Sequence, residues 1–312
     1  WEPLPHLRPE DVRQAMLTFP WATSVGQTGI HPRTLASLSD GAIECITEIF
    51  LRCELLLTWP AQRIVNMLVR LPKPDGGARL IALMSTLLRV WGRARRPLST
   101  EWERQHVAEE VWGVGKGRSS SSSAFSHNLD AEVAQLLGEG TITIMIDLWK
   151  AFETVAPWVL LREARAVGYP MRLMGVLLLA YRQPRALKAY QSCSRMTVAY
   201  QGNLAGCSHA TTALTVLLYR VIRRANDLGV RPRALVDDCS LQMRAAEARR
   251  VADLGGVMKI FLEDLRSLKM VVQATKSGYV ATTVVLAKAF GPIARKFGVV
   301  IKVAIRNLGH EM

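Results

Sequence analysis

The chain has 312 residues, 49% of them hydrophobic and 21% charged, a balance that fits a globular protein with a sizeable core and excludes a disordered chain. Lys and Arg outnumber Asp and Glu by 40 to 26, a net +14 with pI near 10.0, so phosphate polyanions are the expected partners and nucleic acid leads. Five cysteines, never spaced C-x-x-C, argue against a disulfide framework or zinc site and fit a reducing compartment, and the longest apolar run, Leu173 to Tyr181, is far short of the roughly 20 residues of a membrane span.

The chain opens on Trp1 rather than Met, as expected of a piece of a longer polypeptide, and residues 1–33, rich in proline and poor in periodicity, read as an irregular lead-in. Ser39 then caps a helix whose apolar positions Ile43, Ile46, Ile49, Phe50, Cys53 and Leu57 run on until Trp59-Pro60. From Arg63 to Leu71 the period becomes two, predicting a strand. Lys73-Pro-Asp-Gly-Gly77 is turn chemistry, and a second strand from Arg79 to Met84 closes a hairpin with Lys73 and Arg79 flanking its tip. Those two cations could reach a triphosphate or only solvate the loop.

Ser85 or Thr86 starts a helix that concentrates Arg89, Arg93, Arg95 and Arg96, with Trp91 on its apolar side; it either tracks a nucleic-acid backbone or is a wet face. Gly113 to Arg118, followed by Ser119 to Ser123, lacks the phosphate-loop spacing and reads as a flexible connection into a helix from about Ala124 to Leu137. The strand from Thr141 to Asp147 follows, then helices from Thr154 to Val167 and from Pro170 to Arg182, and a hairpin of Ala186 to Tyr190 with Met196 to Gln201. The most regular helical period lies at Leu214, Leu217, Leu218, Val221, Ala225 and Leu228, ended by Gly229; glycines just ahead of it, Gly202 and Gly206, let backbone approach a ligand closely. A hairpin at Asp237-Asp238 leads to a helix from about Ala245 to Leu268 weakened at Gly255-Gly256, strand-like Val271 to Gln273 and Tyr279 to Ala281, a basic helix through Lys296 and a last strand from Val299. The succession is α+β rather than βαβ winding.

Two stretches carry the chemistry. Thr141 to Asp147 and Ala234 to Asp238 are apolar or β-branched runs that each deliver carboxylate to a strand end, where burial is costly unless a cation is met. Hard oxygen ligands with no His or Cys among them suit Mg²⁺, and three carboxylates from two adjacent strands can hold a pair of ions about 4 Å apart for phosphoryl transfer. An Asp-Asp pair alone more often only solvates a turn.

The order of these pieces resembles a reverse transcriptase of the group II intron and non-LTR retrotransposon type, from about Thr28 to Met312. Leu71 to Arg79 is similar to the fingers hairpin, implying that Lys73 and Arg79 hold the triphosphate. Ile146-Asp147-Leu-Trp-Lys-Ala-Phe152 resembles motif A, implying a metal ligand in Asp147 and a steric gate against a ribose 2′-OH in Phe152. Gln201 to Ser208, with Gly202 and Gly206, resembles motif B at the nucleotide and template. Leu235-Val-Asp237-Asp238 resembles motif C, with both aspartates at the metals. Ala274-Thr-Lys276-Ser277 resembles motif D, implying that Lys276 protonates the leaving pyrophosphate, and Asn307-Leu-Gly309 resembles the primer-grip turn of motif E. Ala205, Leu235 and Leu80 depart from the family pattern, which commonly has Gln, Tyr or Phe, and Pro there.

The resemblance implies right-hand polymerase architecture without a thumb: a fingers-like region over 34–140 and, over 141–312, a palm whose antiparallel sheet is backed by helices. It further implies two Mg²⁺ ions, an RNA template, a DNA primer and dNTPs, and an intracellular site of action in nucleus or cytoplasm. A non-catalytic RNA-binding scaffold with a decayed site is the rival expectation. A viral-type RNA-dependent RNA polymerase fits less well, since Phe152 stands where it would carry an acid.

Overall fold

A computed structural model describes residues 1–60, 65–74, 76–106, 111–112, 114, 118–245, 248–301, 306–307 and 310–311. Arg63 and Ile64 of the first expected strand, Asp75 at the hairpin tip, Gly113 and residues 115–117 of the glycine run, and Leu308 and Gly309 of the expected primer-grip turn lie outside them. In chain order the elements are α1 (Pro9–Leu17), α2 (Pro32–Leu35), α3 (Asp40–Leu56), β1 (Asn66–Pro72), β2 (Ala78–Leu83), α4 (Thr86–Ala94), α5 (Arg96–His106), β3 (Val111–Trp112), α6 (Ser120–Leu136), β4 (Gly140–Asp147), α7 (Ala151–Thr154) and α8 (Pro157–Ala166). There follow α9 (Met171–Tyr181), β5 (Arg185–Ala189), β6 (Ser192–Cys193), α10 (Ala210–Asp227), β7 (Arg231–Leu235), β8 (Asp238–Ala245), α11 (Ala248–Ser267), β9 (Gly278–Ala281), α12 (Val284–Lys296), β10 (Val300–Ile301), β11 (Arg306–Asn307) and β12 (His310–Glu311). The class is α+β. Among the described residues no helix is long and apolar enough to cross a membrane.

The chain divides into two compact units, each drawn from two stretches of sequence: Trp1–Trp102 with Val155–Ala213, and Glu103–Thr154 with Leu214–Met312. The first unit holds a four-stranded sheet in the order β2-β1-β5-β6. The β1–β2 hairpin forms in the expected register, with Leu71 opposite Arg79. Strict alternation fails at Asn66, which is fully buried because its amide donates to the Ala180 carbonyl at 2.9 Å. The strand expected over Met196 to Gln201 is replaced by β6, because Tyr190 turns the chain at positive φ and only Thr197 bridges back to Arg185.

Residues 1–33 are not irregular throughout. Pro9 opens α1 at the position where its missing N–H costs nothing, Glu10 and Asp11 occupy the first turn, and Val12, Ala15 and Met16 are buried at helical spacing. Helix α3 starts as expected from the Ser39 cap, and Leu57 in the left-handed region ends it; Ile49, expected on its core face, is exposed. The basic helix is a correction. Arg95 is buried and donates through Nε and Nη2 to both oxygens of Glu54, at 2.7 and 2.5 Å, while Trp91 donates to the same carboxylate at 2.7 Å. Arg89 bonds the Ser24 carbonyl at 2.6 Å, Arg93 lies 4.5 Å over Phe19, and Arg96 bonds Thr212 at 2.7 Å. These cations serve packing inside the unit.

The second unit holds the six-stranded sheet β10-β9-β4-β8-β7-β3, antiparallel across its four central strands. Helices α6 and α12 pack on β4, seven of whose eight residues are consequently buried whichever way they point. The serine run is not a flexible link: Ser119 caps α6 by accepting from the Ser122 N–H at 3.1 Å, and Ser120 to Ser123 form its first turn. Helix α11 runs unbroken through Gly255-Gly256. A Cβ at Gly255 would stand 2.6 Å from Ile293 of α12, so the glycine permits close helix packing.

Among the described residues each unit buries one neutral histidine. In the first, His209 donates from Nε2 to the Gly92 carbonyl and accepts at Nδ1 from Ser99, both at 2.7 Å, and burial pushes its pKa down to about 4. In the second, Arg233 occupies Nδ1 of His127 at 3.0 Å, so Nε2 donates to Ser240 at 2.7 Å; burial, then the Arg233 charge, push its pKa down to about 3. Both folded values lie below the ordinary value near 6.5. Between that pH and about 3 to 4 the unfolded chain therefore binds protons that the folded one refuses, and stability falls as pH falls. Each histidine is expected to cost about 2 kcal/mol at pH 5 relative to pH 7. Urea unfolding at the two pH values checks this, and equal stabilities would contradict it.

Candidate active site

The carboxylates assemble through strand register. Asp147, the last residue of β4 and its only half-buried one, stands directly opposite Asp238, the first residue of β8, which on its other side pairs with Leu235 at the end of β7. Directly opposed residues have Cα atoms about 4.5–5.5 Å apart. The hairpin loop is then Val236-Asp237, two residues, a length that demands positive φ at its first position and favours Gly there. Val236 supplies it at φ 60°, a β-branched residue in a conformation that stores about 1–3 kcal/mol of strain. Asp237 and Asp238 thus sit at a tightly set turn beside Asp147.

Cys239 follows immediately, buried and opposite Ile146. Burial foremost, then the negative charges of Asp238 and Asp237, push its thiol well up, so it stays protonated and packs as a small apolar group.

A second segment holds Asp147 in place. The Gln273 N–H donates to the Asp147 carbonyl at 2.8 Å, the Asp147 N–H donates to the Ser277 hydroxyl at 3.1 Å, and that hydroxyl donates to the Gln273 carbonyl at 3.0 Å. Trp149 N–H bonds the Val271 carbonyl at 2.7 Å and Leu148 bridges Val272. Lys276 is exposed on the turn that these bonds define, its N–H on Gln273 at 3.0 Å, so the turn bearing the expected proton donor is anchored to the backbone of Asp147. Phe152 is half-buried in α7, which the chain enters through Lys150 at φ 45°. The anchoring roles of Gln273 and Ser277 were not foreseen, since a serine in a turn ahead of a strand carries no sign of a distant partner.

The remaining expected site residues lie in the first unit. Lys73 closes the hairpin tip by accepting from the Gly76 N–H at 3.1 Å and donating to the Gly77 carbonyl at 2.9 Å through its backbone, while exposed Arg79 faces Leu71. Gly202, φ 92° and buried, donates to the Val155 carbonyl at 2.8 Å. Gly206 has φ 105°, and a Cβ there would stand 2.8 Å from the Ala82 carbonyl oxygen; the next bond along, Ala82 N–H to the Ala205 carbonyl, is 2.7 Å. At Gly206 the absence of a side chain thus lets two segments of the protein's own backbone approach closely.

The donor chemistry fits a hard divalent cation: opposed half-buried carboxylates repel, and a cation would relieve that. As the side chains stand, no group of three His, Cys, Asp or Glu among the described residues is arranged to hold a metal. What the backbone sets is the juxtaposition of Asp147 and Asp238 with Asp237 adjoining.

Residues 71–312 match the family model described as reverse transcriptase (RNA-dependent DNA polymerase), and the chain belongs to that family. The match begins at the β1–β2 hairpin and takes in every residue named above as a site candidate. Members are nucleotidyltransferases that generally use divalent metal ions and bind template, primer and dNTP. No curated protein matches the chain.

Proposed function

We propose that the chain is the fingers and palm of an active RNA-directed DNA polymerase of the group II intron and non-LTR type, part of a retroelement polyprotein, joining a primer 3′-OH to the α-phosphate of a dNTP on an RNA template. The observation that carries this is the register pairing of Asp147 with Asp238, with Asp237 in the strained turn beside them. Asp147, Asp237 and Asp238 would hold two Mg²⁺ ions, which when bound stabilise the attacking and leaving oxygens. Lys276 gives a proton to the leaving pyrophosphate. Lys73 and Arg79 take the triphosphate, Phe152 crowds a ribose 2′-OH and so favours dNTP over NTP, and Gly202 and Gly206 shape the loop that lines the nucleotide and template. The fingers would span 34–140 and the palm 141–312. All five cysteines are free, which agrees with work in a reducing compartment, nucleus or cytoplasm.

Ala205 favours a second reading, a non-catalytic RNA-binding scaffold, because the residue offers a ligand no side chain beyond a methyl and its carbonyl is committed to Ala82. Mg²⁺-dependent primer extension on an RNA template, run with dNTPs and with NTPs beside the Asp237→Asn, Asp238→Asn variant, separates the two. Extension with dNTPs that the variant loses supports the polymerase; RNA binding without extension supports the scaffold.

A further inference from the structure

At the other end of β7 and β8 from the aspartates, entirely within the second unit, lies a cleft of about 440 Å³ lined by Asp130, Leu228, Arg231, Arg244, Arg250 and Asp253 among others. That volume is within the range of small-ligand sites. We propose that this cleft binds a phosphate group of a nucleic-acid strand, at a site separate from the carboxylates of the polymerase centre.

Its charge is unbalanced: Arg231, Arg244 and Arg250 line it against Asp130 and Asp253, and Arg233 stands behind Asp130. Asp130 is shared among three arginines: Arg231 and Arg233 make short bonds to it, and Arg244 stands 3.9 Å away. Burial opposes its ionisation, but the arginines outweigh that and hold its carboxyl below the usual range, so it cannot neutralise the site by taking a proton, and it answers only one of the three positive charges. Arg244 further buries its Nε with no hydrogen-bond partner among the described residues, an uncompensated donor beside the cleft. Arg250, exposed, has no carboxylate partner among the described residues, and it lies in the first turn of α11, which contains no acidic residue. A helix start is already the positive end of the helix dipole, so a cation there is a charge that only an anion relieves. Leu228 and Met243 supply apolar wall against which a sugar could lie. An oxyanion with several acceptor oxygens matches forked donors of this kind. A strand's phosphodiester and the phosphate of a free nucleotide share this chemistry; the open arginines favour the strand.

The test measures affinity for a single-stranded RNA oligonucleotide against salt for the wild type, for Arg244→Gln with Arg250→Gln, and for Asp253→Lys, with adenosine 5′-monophosphate titrated calorimetrically alongside. Each phosphate contact on a single strand contributes about 0.7 to the slope of log K against log salt. The double variant is expected to lose about 1.4 from that slope, and Asp253→Lys, on an exposed helix position where folding is not at stake, to raise affinity severalfold. Slope loss without mononucleotide binding identifies a strand phosphate. Mononucleotide binding that the double variant weakens tenfold or more, with the RNA slope unchanged, would overturn the strand in favour of a free nucleotide. Unchanged slopes in both variants with no mononucleotide binding would overturn the site altogether. Asp237→Asn with Asp238→Asn should leave the RNA slope loss intact, so the cleft stands or falls independently of polymerase activity.

Discussion

Replacing Asp237 and Asp238 together by Asn is expected to reduce primer extension by at least about a thousandfold while leaving thermal unfolding unchanged or slightly raised. The two halves of that expectation have one cause. Asn keeps the volume of Asp, and the Val236-Asp237 turn and the β4–β8 register are set by the backbone, which the substitutions leave alone. It removes two negative charges from a place where Asp147 stands directly opposite Asp238, and like charges at such separations cost the folded state free energy. A site built only for stability would not keep them. A polymerase centre needs the charge that stability would discard, so activity and stability should move in opposite directions. Asp147→Asn should reproduce the activity loss. Wild-type extension from the double variant would remove these carboxylates from the chemistry.

The elements legible in the sequence were those whose cause is local. Ser39 before an apolar helical period, the Lys73 to Gly77 turn between alternating runs, and the apolar strand ending at Asp147 each carry their own signal, and the structure has them where expected; the second strand stops two residues short of Asp237, at Leu235. What was missed depends on distant partners. Helix α1 is stabilised by burying three side chains among its neighbours, which the prolines around it conceal. The backbone contact of Gly206 with the Ala82 carbonyl and the packing of Gly255 on Ile293 both join segments far apart in the chain, so neither glycine announces it. The serine run looked flexible by composition, yet one hydroxyl at the cap was enough to start α6. At the site itself, the pairing of Asp147 with Asp238 follows from strand order, whereas the bonds from Gln273 and Ser277 to the Asp147 backbone join segments far apart in the chain.

Arg95 marks the limit of reading charge from sequence, and it carries the largest expected effect on stability. In sequence it is one of a row of arginines; in the fold its side chain is 4% exposed against a Glu54 side chain 5% exposed, in a two-pronged pair that also receives the Trp91 N–H. Arg95 reaches further, donating to the Pro5 carbonyl at 2.8 Å and so tying the N-terminal segment to α3 and α4. Glu54→Ala would strand a guanidinium and an indole N–H in the core, an expected loss of about 3–5 kcal/mol in urea unfolding, a large part of a typical domain's total. Glu54→Gln should lose less, since an amide oxygen still accepts one bond. Replacing both partners, Glu54→Leu with Arg95→Met, should recover most of the loss, because the cost lies in leaving one charge buried alone rather than in the absence of the pair. If the double variant were as unstable as Glu54→Ala, the stabilisation would reside in the tether to Pro5 and the packing of the arginine stem, not in the ion pair.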